Sequence, residues 1–385
     1  MPRDALPASL SDRERLARLR LIRTENVGPM TFRQLLERFG TAERAIDALP
    51  DLARRGGRRR ALAVPPAGAA EREIAANARV GADLVVFGDP LYPSALAAVE
   101  DAPAVFSLIG HGYLPSQRTV AIVGARNASM NGRRLAMSLA RGIGAGGYAI
   151  ASGLARGIDA AAHEGALETG TVAVVAGGID VIYPPEHTDL YRRISEAGAI
   201  IAEQPVGTTP QARHFPSRNR IIAGLSLGVL VVEAATRSGS LITARRALDQ
   251  GREVFAVPGS PLDPRCGGTN GLIKEGAAFL VESARDVENV LDGLAAQHLD
   301  EPPGRDWQGS IGSETLETPP LEVDDRVRRE VMQALGPEPV AVDEVIRGCQ
   351  LSAPVVATVL LEAELAGLID RHPGNQISRR LEVPV

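Results

Sequence analysis

The sequence is poor in cysteine, lysine and aromatic residues, and each shortage excludes something. Cys266 and Cys349 are the only two cysteines in 385 residues, so they support neither a disulfide framework nor a zinc site with cysteine ligands. Lys274 is the only lysine, and arginine supplies every other basic side chain. Aromatic residues make up 3% of the chain, so stacking platforms for nucleic-acid bases must be few.

Long apolar runs and a strong net charge are also missing. No run approaches the ~20 apolar residues of a membrane span, and the charged first 20 residues lack the apolar core of a signal peptide, so we expect a cytoplasmic protein without a membrane partner. The 42 basic and 47 acidic residues give a formal net charge of −5. That balance argues against wrapping of nucleic acid around a basic surface and leaves room for a local basic cleft.

Catalytic and metal-binding spacings are largely absent. The six histidines show no H-x-x-x-H spacing, and no G-x-S-x-G elbow occurs, so we predict no metal, no cofactor and no catalytic residue. One enzymatic constellation stays open, because Glu203 and Glu233 both fall at predicted strand ends and would form a carboxylate pair if they met.

The chain divides into four stretches. Residues 1–78 carry short helical periodicities around a Gly28-Pro29 turn and predict a helix-hairpin-helix or similar small helical domain. Residues 79–292 predict a Rossmann-like domain, and residues 293–322, rich in Pro, Gly, Glu and Ser, predict a flexible linker. Residues 323–385, with three helical patterns and a hairpin, predict a winged-helix domain.

The predicted Rossmann-like domain rests on six short apolar runs separated by helix-length segments. Continuous apolar strands alternating with helices indicate an α/β fold with a doubly wound, mostly parallel sheet. The predicted strands are 120–123, 148–151, 171–176, 199–203, 229–233 and 253–257.

Several Gly-rich or Ser-rich turns follow these strands and open helices. Because the carboxyl ends of parallel strands share one edge of a sheet, these turns are expected to gather there, where helix N-termini favour anions. Single turns of this kind are weak evidence, but several together predict a phosphate-lined cleft. The residues that we expect to line it here are Gly124, Arg126, Ser152, Gly153, Arg156, Ser238, Ser240 and Lys274.

A second basic group lies in the segment Phe215–Arg220. Ser217 is a natural N-cap, which would place Arg218, Asn219 and Arg220 in the first turn of a helix, against its dipole. Such a placement hints at a bound anion. The alternative is that these arginines pair with carboxylates such as Glu233 or Asp159. Phe215 is expected either to stack on a base or to fill the core.

Two nucleotide-binding motifs are absent. The turn after the first of the six strands is not G-x-G-x-x-G, and the next strand runs into Ala151-Ser152-Gly153 instead of ending in the acid that would hold a ribose. No Gly-Lys-Ser/Thr occurs, so a Walker loop is excluded as well.

The chain closely resembles the DNA-processing protein A family, also called Smf. The resemblance spans about residues 80–292 and is specific because many motifs recur in order. The matching stretches are Ala121–Arg126, Ser152–Asp159, Gly178–Pro184, Phe215–Ser226, Val231–Ala234, Ser238–Ala244, Val254–Gly259 and Gly268–Asn270.

The resemblance implies a non-enzymatic protein that binds single-stranded DNA, protects incoming strands and loads the RecA recombinase onto them during natural transformation. It also implies a homodimer formed through the Rossmann-like domain. Carried over by motif, the phosphate contacts are Arg126, Arg156, Arg218, Arg220 and Lys274. Many relatives have Ser at the position of Ala125 and Tyr at that of Asn131, and neither change removes a charge.

Two rival functions remain at this stage. The first is a nucleotide-hydrolysing enzyme of the lysine-decarboxylase-like phosphoribohydrolase type, although its Pro-Gly-Gly-x-Gly-Thr motif is replaced here by residues 236–240. The second is a transcription factor that uses the winged helix. The helix expected to read DNA, 352–367, carries Glu362 and Glu364 and no basic residue, which disfavours that function.

Overall fold

The computed structural model of the chain describes residues 10–58, 60–300, 323–372 and 374–380, without the side chains of 295–300. Its strands are β1 (Asp83–Val86), β2 (Val105–Gly110), β3 (Thr119–Val123), β4 (Ala149–Ser152), β5 (Thr171–Gly178), β6 (Ala199–Gln204), β7 (Gly228–Val231), β8 (Glu253–Ala256), β9 (Phe279–Leu280), β10 (Val340–Ala341), β11 (Ile369–His372) and β12 (Gln376–Arg379).

The described helices follow the same chain order. They are α1 (Asp12–Ile22), α2 (Pro29–Phe39), α3 (Ala42–Arg55), α4 (Ala67–Arg79), α5 (Ser94–Ala97), α6 (Met130–Ala145), α7 (Ile158–Ala166), α8 (Thr188–Ala197), α9 (His214–Leu225), α10 (Ser240–Asp249), α11 (Gly267–Lys274), α12 (Ala284–Asp300), α13 (Asp325–Gln333), α14 (Val342–Cys349) and α15 (Ala353–Ala366).

The chain forms two compact units. The sheet unit spans Gly68–Pro302, and the terminal unit joins Asp12–Ala67 to the described residues of Pro303–Val385. The four-part division at residues 78, 292 and 322 stays a prediction, since compactness does not say which parts fold alone. Within the predicted linker, residues 293–300 continue helix α12, and residues 301–322 lie outside the described residues.

The sheet unit is built on nine strands in the order β1-β2-β6-β5-β4-β3-β7-β8-β9. From β6 to β9 all neighbours are parallel, whereas β1 and β2 add an antiparallel edge. The chain leaves β3 in one direction towards β4 and later returns beside it as β7. That reversal creates a crevice at the carboxyl ends of β3 and β7, where open α/β sheets bind their ligands.

Both faces of the sheet are covered, as the unbroken apolar runs require. In β3, Val120 and Ile122 belong to one apolar cluster, whereas Ala121 and Val123 belong to another on the opposite face. All six predicted strands are confirmed, with bounds shifted by at most two residues. The predicted doubly wound, mostly parallel fold is therefore confirmed, and β1, β2 and β9 were not predicted.

The terminal unit contains the helices α1–α3 and a winged helix. Helices α13–α15 and the three-stranded sheet β10-β12-β11 enclose their own core, which includes Val331, Val356, Leu360 and Ile377. The N-terminal helical domain and the C-terminal winged helix are thus confirmed as predicted fold types.

Within the described ranges, no single helix is long and apolar enough to cross a membrane; only α14 and α15 together pass that test, as a pair bent by 119°. No group of three or more His, Cys, Asp or Glu side chains is placed to hold a metal ion in that same part of the chain.

Candidate functional site

The turn between β3 and α6 is closed by a carboxylate from the end of the neighbouring strand. Glu233 is 7% exposed, and its Oε2 accepts the Ser129 N–H at 2.8 Å while its Oε1 accepts the Ser129 hydroxyl at 2.5 Å. Ser129 Oγ accepts the Gly132 N–H at 2.8 Å and so caps the helix. Because Glu233 already places a negative charge at the start of α6, the backbone N–H groups that it and Ser129 occupy are not open to an anion.

The turn between β4 and α7 is held from beneath by buried polar groups. Asp159 Oδ2 accepts the Gly153 N–H at 3.2 Å, and Ser152 Oγ donates to the carbonyl of Ile122 at 2.6 Å. Burial raises the pKa of Asp159, and the nearby Arg218 acts in the opposite direction. Ser152 and Gly153 are themselves buried, so they shape the turn from inside and do not line an open surface.

His163 supports the same turn in its neutral form. Its Nε2 accepts the N–H of Leu154, whose φ is +53°, at 3.3 Å. Its Nδ1 therefore carries the proton and donates to Thr171 Oγ1 at 2.7 Å. Burial lowers the pKa of His163 to about 3. The sequence interpretation of His163 as a packed helix position is confirmed.

Arg218 lies under this turn. It is 6% exposed, and its guanidinium packs so closely on Gly153 that a Cβ there would overlap it. Among the described residues, its Nε has no hydrogen-bond partner. Burial lowers its pKa to about 10, Asp159 opposes that shift, and Arg126 adds to it. We call Ser152, Gly153, Asp159, His163 and Arg218 the buried floor.

The segment that carries Arg218 begins its helix earlier than predicted. Helix α9 begins at His214, so Ser217 lies inside it and is not the N-cap, and Arg218 lies in the second turn. Arg220 is 7% exposed, pairs with Glu203 and donates to the carbonyl of Asp101. The structure therefore does not bring Arg220 to the cleft. The alternative of an ion pair with a carboxylate therefore holds for Arg220, but the partner is Glu203 and not Glu233 or Asp159.

Both carboxylates of the open enzymatic constellation are thus engaged by other groups. Glu203 binds Arg220, and Glu233 binds the start of α6. The described geometry does not present them as a facing pair with a free side for a substrate.

An exposed group of aromatic and guanidinium side chains lies above the floor. The Arg126 guanidinium lies 5.1 Å from the centroid of the Phe215 ring, and Tyr183 meets that ring edge-on at 5.9 Å. Phe215 is half-buried and Tyr183 is 48% exposed. Phe215 is therefore not a core residue, and its face already attracts a cation.

A cavity of about 640 Å³ opens beside Arg126, between the start of α6 and the start of α7. Its lining includes Arg126, Arg133, Arg134 and Arg156, which we call the arginine rim, together with His187 and Glu164. All four rim arginines are exposed. Arg156 pairs with Glu186, and among the described residues the other three make no ion pair.

One residue in the wall of the cavity, Gly157, has no room for a side chain. Gly157 has φ +79° and precedes α7, and a Cβ there would overlap the carbonyl oxygens of Ala125 and Arg126. Gly124 is similarly tight, since a Cβ would meet Ile158 and the Glu233 carbonyl. The two turns are therefore in backbone contact, which holds Arg126 and Arg156 at one edge.

The remaining predicted site residues lie on the next turns of the sheet edge. Ser238 and Ser240 stand at the start of α10, with their hydroxyl oxygens 2.7 Å apart. Gly267–Asn270 belong to α11 and do not precede it, and Lys274 is its exposed last residue. Asn219 is partly exposed on α9. A role in binding stays a prediction for Ser238, Ser240, Lys274 and Asn219.

Sequence reasoning missed Arg133, Arg134, Tyr183 and His187. The signal available for Arg133 and Arg134 was their position in the first two turns of the helix that follows the Gly124 turn. The signal for Tyr183 was an exposed aromatic in a chain with few aromatics. Neither the spacing nor the composition indicates that these residues converge with Arg156.

Three family models match this chain. A model described as DNA recombination-mediator protein A matches residues 83–292, a DprA-like N-terminal HHH domain matches 12–76, and a DprA winged helix domain matches 315–375. Protein Smf of Escherichia coli K12 is 38% identical over 300 residues, 77% of each chain. The DNA processing protein DprA of Bacillus subtilis is 43% identical over 232 residues, 60% of this chain and 78% of that protein.

Solved structures give the same result. DNA processing protein A from Streptococcus pneumoniae superposes with a TM-score of 0.62 and 35% identity, covering 73% of this chain and 98% of that one. DNA processing protein A from Helicobacter pylori, whose structure concerns its single-stranded DNA binding mode, gives a TM-score of 0.51 and 27% identity over 56% of this chain and 96% of that one. The chain belongs to the DNA recombination-mediator protein A family.

Proposed function

We propose that this protein binds single-stranded DNA along the carboxyl edge of the sheet, with backbone phosphates on the arginine rim and a base on Phe215. The observation that carries this proposal is the contact of the exposed Arg126 with the half-buried Phe215 ring, beside a cavity whose lining includes four arginines. Membership of the family and the single-stranded DNA binding of the Helicobacter pylori relative support it.

The charges of the rim suit a strand of phosphates. Arg126, Arg133 and Arg134 have no ion-pair partner among the described residues, so a phosphate gains their charge without breaking a pair. The pair between Arg156 and Glu186 is exposed on both sides, and solvent screens such pairs strongly, so a phosphate can replace Glu186 at little cost.

Phe215 favours a single strand over a duplex. A base stacks on an aromatic ring for ~1–3 kcal/mol only when its face is free, and in a duplex both faces are already stacked. The net charge of −5 gives no broad basic surface that would hold a double helix. We therefore expect clear preference for single strands with little dependence on base sequence.

A titration of the full chain with fluorescent single-stranded and double-stranded oligonucleotides of equal length tests this function. Anisotropy is measured at several salt concentrations, and each phosphate contact adds ~0.7 to the log–log slope for a single strand. Equal affinity for the two DNAs at every salt concentration would contradict the proposed function.

The finer role is protection of incoming strands and loading of the RecA recombinase in natural transformation, without catalysis of its own. Family membership alone supports this step. The measurement is RecA filament assembly on single strands already coated by a single-strand-binding protein. The present protein should accelerate assembly, and Arg126→Ala should not.

We also propose that the protein forms a homodimer, with its interface at the outer edge of β9. That strand pairs with β8 on one side only, and Phe279 and Leu280 are 49% and 48% exposed. An edge strand with exposed apolar side chains is a common place for chains to associate. Sedimentation of Leu280→Arg should show a monomer where the unchanged chain shows a dimer.

The alternative function is hydrolysis of nucleoside monophosphates, and a substitution of Glu233 tests it. If Glu233 were a catalytic carboxylate, the protein would release free base and Glu233→Gln would stop the release. We expect no base from either protein, because the Glu233 carboxylate is bound to Ser129. Chromatography of the incubated nucleotides measures the outcome.

A further inference from the structure

Helix α15 occupies the position of a DNA-reading helix but is buried on most sides over its C-terminal two thirds. It follows α14 in the winged helix, where the second helix of a helix-turn-helix pair enters the major groove. One of its faces, with Val356, Val359 and Leu360, packs into the winged-helix core. Leu361 and Leu365, outside that core, are only 3% and 0% exposed. Helix α15 is therefore covered from Thr358 onward, whereas Ala353, Pro354 and Ala357 at its start are exposed.

The N-terminal helices cover it. Helix α3 packs on α15, and the approach at Gly56 is so close that a Cβ there would overlap the carbonyl oxygen of Glu362. Asn26, between α1 and α2, has φ +62° and its Nδ2 donates to the Leu365 carbonyl at 3.2 Å. The turn between α1 and α2, which a helix-hairpin-helix motif would present to DNA, therefore also contacts α15.

The charges at this contact are satisfied within the protein. Glu362 is 1% exposed and binds Arg328 at 2.9 Å, and Glu364 binds Arg371 at 3.1 Å. Arg38 of α2 is attracted by Glu362, which opposes the lowering of the Arg38 pKa by burial. Because α15 has no basic residue and its two carboxylates are paired within the protein, a DNA backbone would find no cation along this helix.

We propose that α15 is the docking surface for the N-terminal helices of the same chain and not a DNA-reading helix. The two ends of the chain then form one closed unit, and neither the Asn26 hairpin nor α15 takes part in DNA binding. This inference does not depend on where the sheet unit binds DNA.

Hydrogen exchange of full-length Gly56→Ala tests the docking. The added methyl group has to displace the Glu362 backbone, so amides of α3 and α15 should both exchange at least tenfold faster, while β3–β7 stay unchanged. Gly348→Ala is the matched control, because it adds the same methyl group on α14 with nothing within 4 Å. Faster exchange in only one of the two helices, or in neither, would overturn the proposal.

A second variant guards against a Gly56→Ala chain that fails to fold. Asn26→Gly keeps a residue that tolerates φ +62° and removes only the amide that binds the Leu365 carbonyl. Exchange should rise in the same two helices by a smaller factor, severalfold. The protection of the α3 and α15 amides against exchange in the unchanged chain should also be independent of protein concentration. If it fell on dilution, a second copy would be supplying the N-terminal helices, which contradicts docking within one chain.

Duplex binding by the same variants tells whether α15 is only a docking surface or a DNA-reading helix that the N-terminal helices cover. If α15 is only a docking surface, Gly56→Ala and Asn26→Gly should bind double-stranded oligonucleotides no better than the unchanged chain in anisotropy titrations. A gain of duplex affinity of tenfold or more in either variant would show a masked DNA-reading helix and would overturn the proposal.

Discussion

Buried and exposed arginines lie at the same edge of the sheet and differ in what surrounds them. Arg218 is 6% exposed and packs on Gly153, and Arg220, 7% exposed, pairs with Glu203. Arg126 and Arg133 are exposed and, among the described residues, carry no ion-pair partner. The sequence motifs assign Arg126, Arg218 and Arg220 the same role and miss Arg133, whereas the fold separates arginines that hold the edge together from arginines that are available to a ligand.

This contrast teaches that an arginine near a cleft is not evidence of binding until its partners are known. A buried charge whose partner is removed costs several kcal/mol, whereas an exposed charge without a partner can be removed at almost no cost to folding. Buried arginines should therefore affect stability, and exposed ones should affect DNA affinity.

The largest effect is expected at Arg220. Arg220→Ala leaves Glu203, whose side chain is 19% exposed, without its cation, and should lower the free energy of unfolding by about 3 kcal/mol. Urea denaturation measures it. Arg192→Ala is the control, because Arg192 forms an exposed pair with Asp189 and should change stability by under ~1 kcal/mol. A loss of DNA affinity without a loss of stability would place Arg220 among the binding residues after all.

His163 should make the stability of the sheet unit depend on pH. Because burial lowers its folded pKa to about 3 from 6.5, the unfolded chain binds a proton below pH 6.5 that the folded chain refuses. The unfolding free energy should therefore fall by ~1.4 kcal/mol per pH unit below 6.5, or about 2 kcal/mol by pH 5.

The His163→Gln variant isolates this contribution. Its unfolding free energy should lack that fall between pH 6.5 and pH 5, whatever its absolute stability, whereas His111→Gln, at an exposed position, should keep it. Identical pH slopes in His163→Gln and the unchanged chain would mean that His163 is protonated in the folded state.

Gly153 tests the packing of the floor. Gly153→Ala places a methyl group on the Arg218 guanidinium, and overpacking of this kind costs roughly 1–3 kcal/mol of unfolding free energy. We expect the lower half of that range, since the end of a long side chain can shift. Gly239→Ala, in another turn of the same edge with nothing within 4 Å, should change stability by under ~0.5 kcal/mol. Equal unfolding free energies of the two variants would refute the close contact between Gly153 and Arg218.

The smallest free-energy change, but the one that matters for function, is expected at Arg126. Arg126→Ala should weaken single-stranded DNA binding about tenfold, or ~1.4 kcal/mol, and lower the salt slope by ~0.7, with the melting temperature unchanged. Arg141→Ala removes the same charge from an exposed position of α6 outside the cavity lining and should leave both quantities unchanged. If the two variants behave alike, net charge and not position controls affinity.

Much of the sheet was predictable from the sequence. The six strands β3–β8 are buried on both faces, so each is a continuous apolar run that pattern alone identifies. No full-length helix separates β1, β2 and β3, so the strand–helix alternation that marks the other strands is missing there, and β9 has only two residues, both exposed. The docking of α3 on α15 joins segments about 300 residues apart, which local periodicity cannot indicate.

The candidate site was predictable in its position but not in the role of each residue. The Gly-rich turns located the edge, and Arg126 and Arg156 do meet at one cavity there. Ser217 gives a stronger N-cap signal than the actual start of α9, where no side chain caps the helix, so the first turn was misplaced. Burial of Arg218 depends on the turn at Gly153, and Glu203 lies 17 residues before Arg220 on the preceding strand, so neither contact follows from the periodicity within α9.

Glu233 gives this fold an internal substitute for a nucleotide phosphate. Rossmann-like enzymes hold a cofactor pyrophosphate at the helix that follows the first strand, and here a tethered carboxylate permanently fills that position at the start of α6. A free nucleotide would have to displace a group that cannot diffuse away, so it competes at a severe disadvantage. A polymer that binds along the rim avoids that competition altogether. DNA binding by this chain should therefore be indifferent to added ATP or NAD.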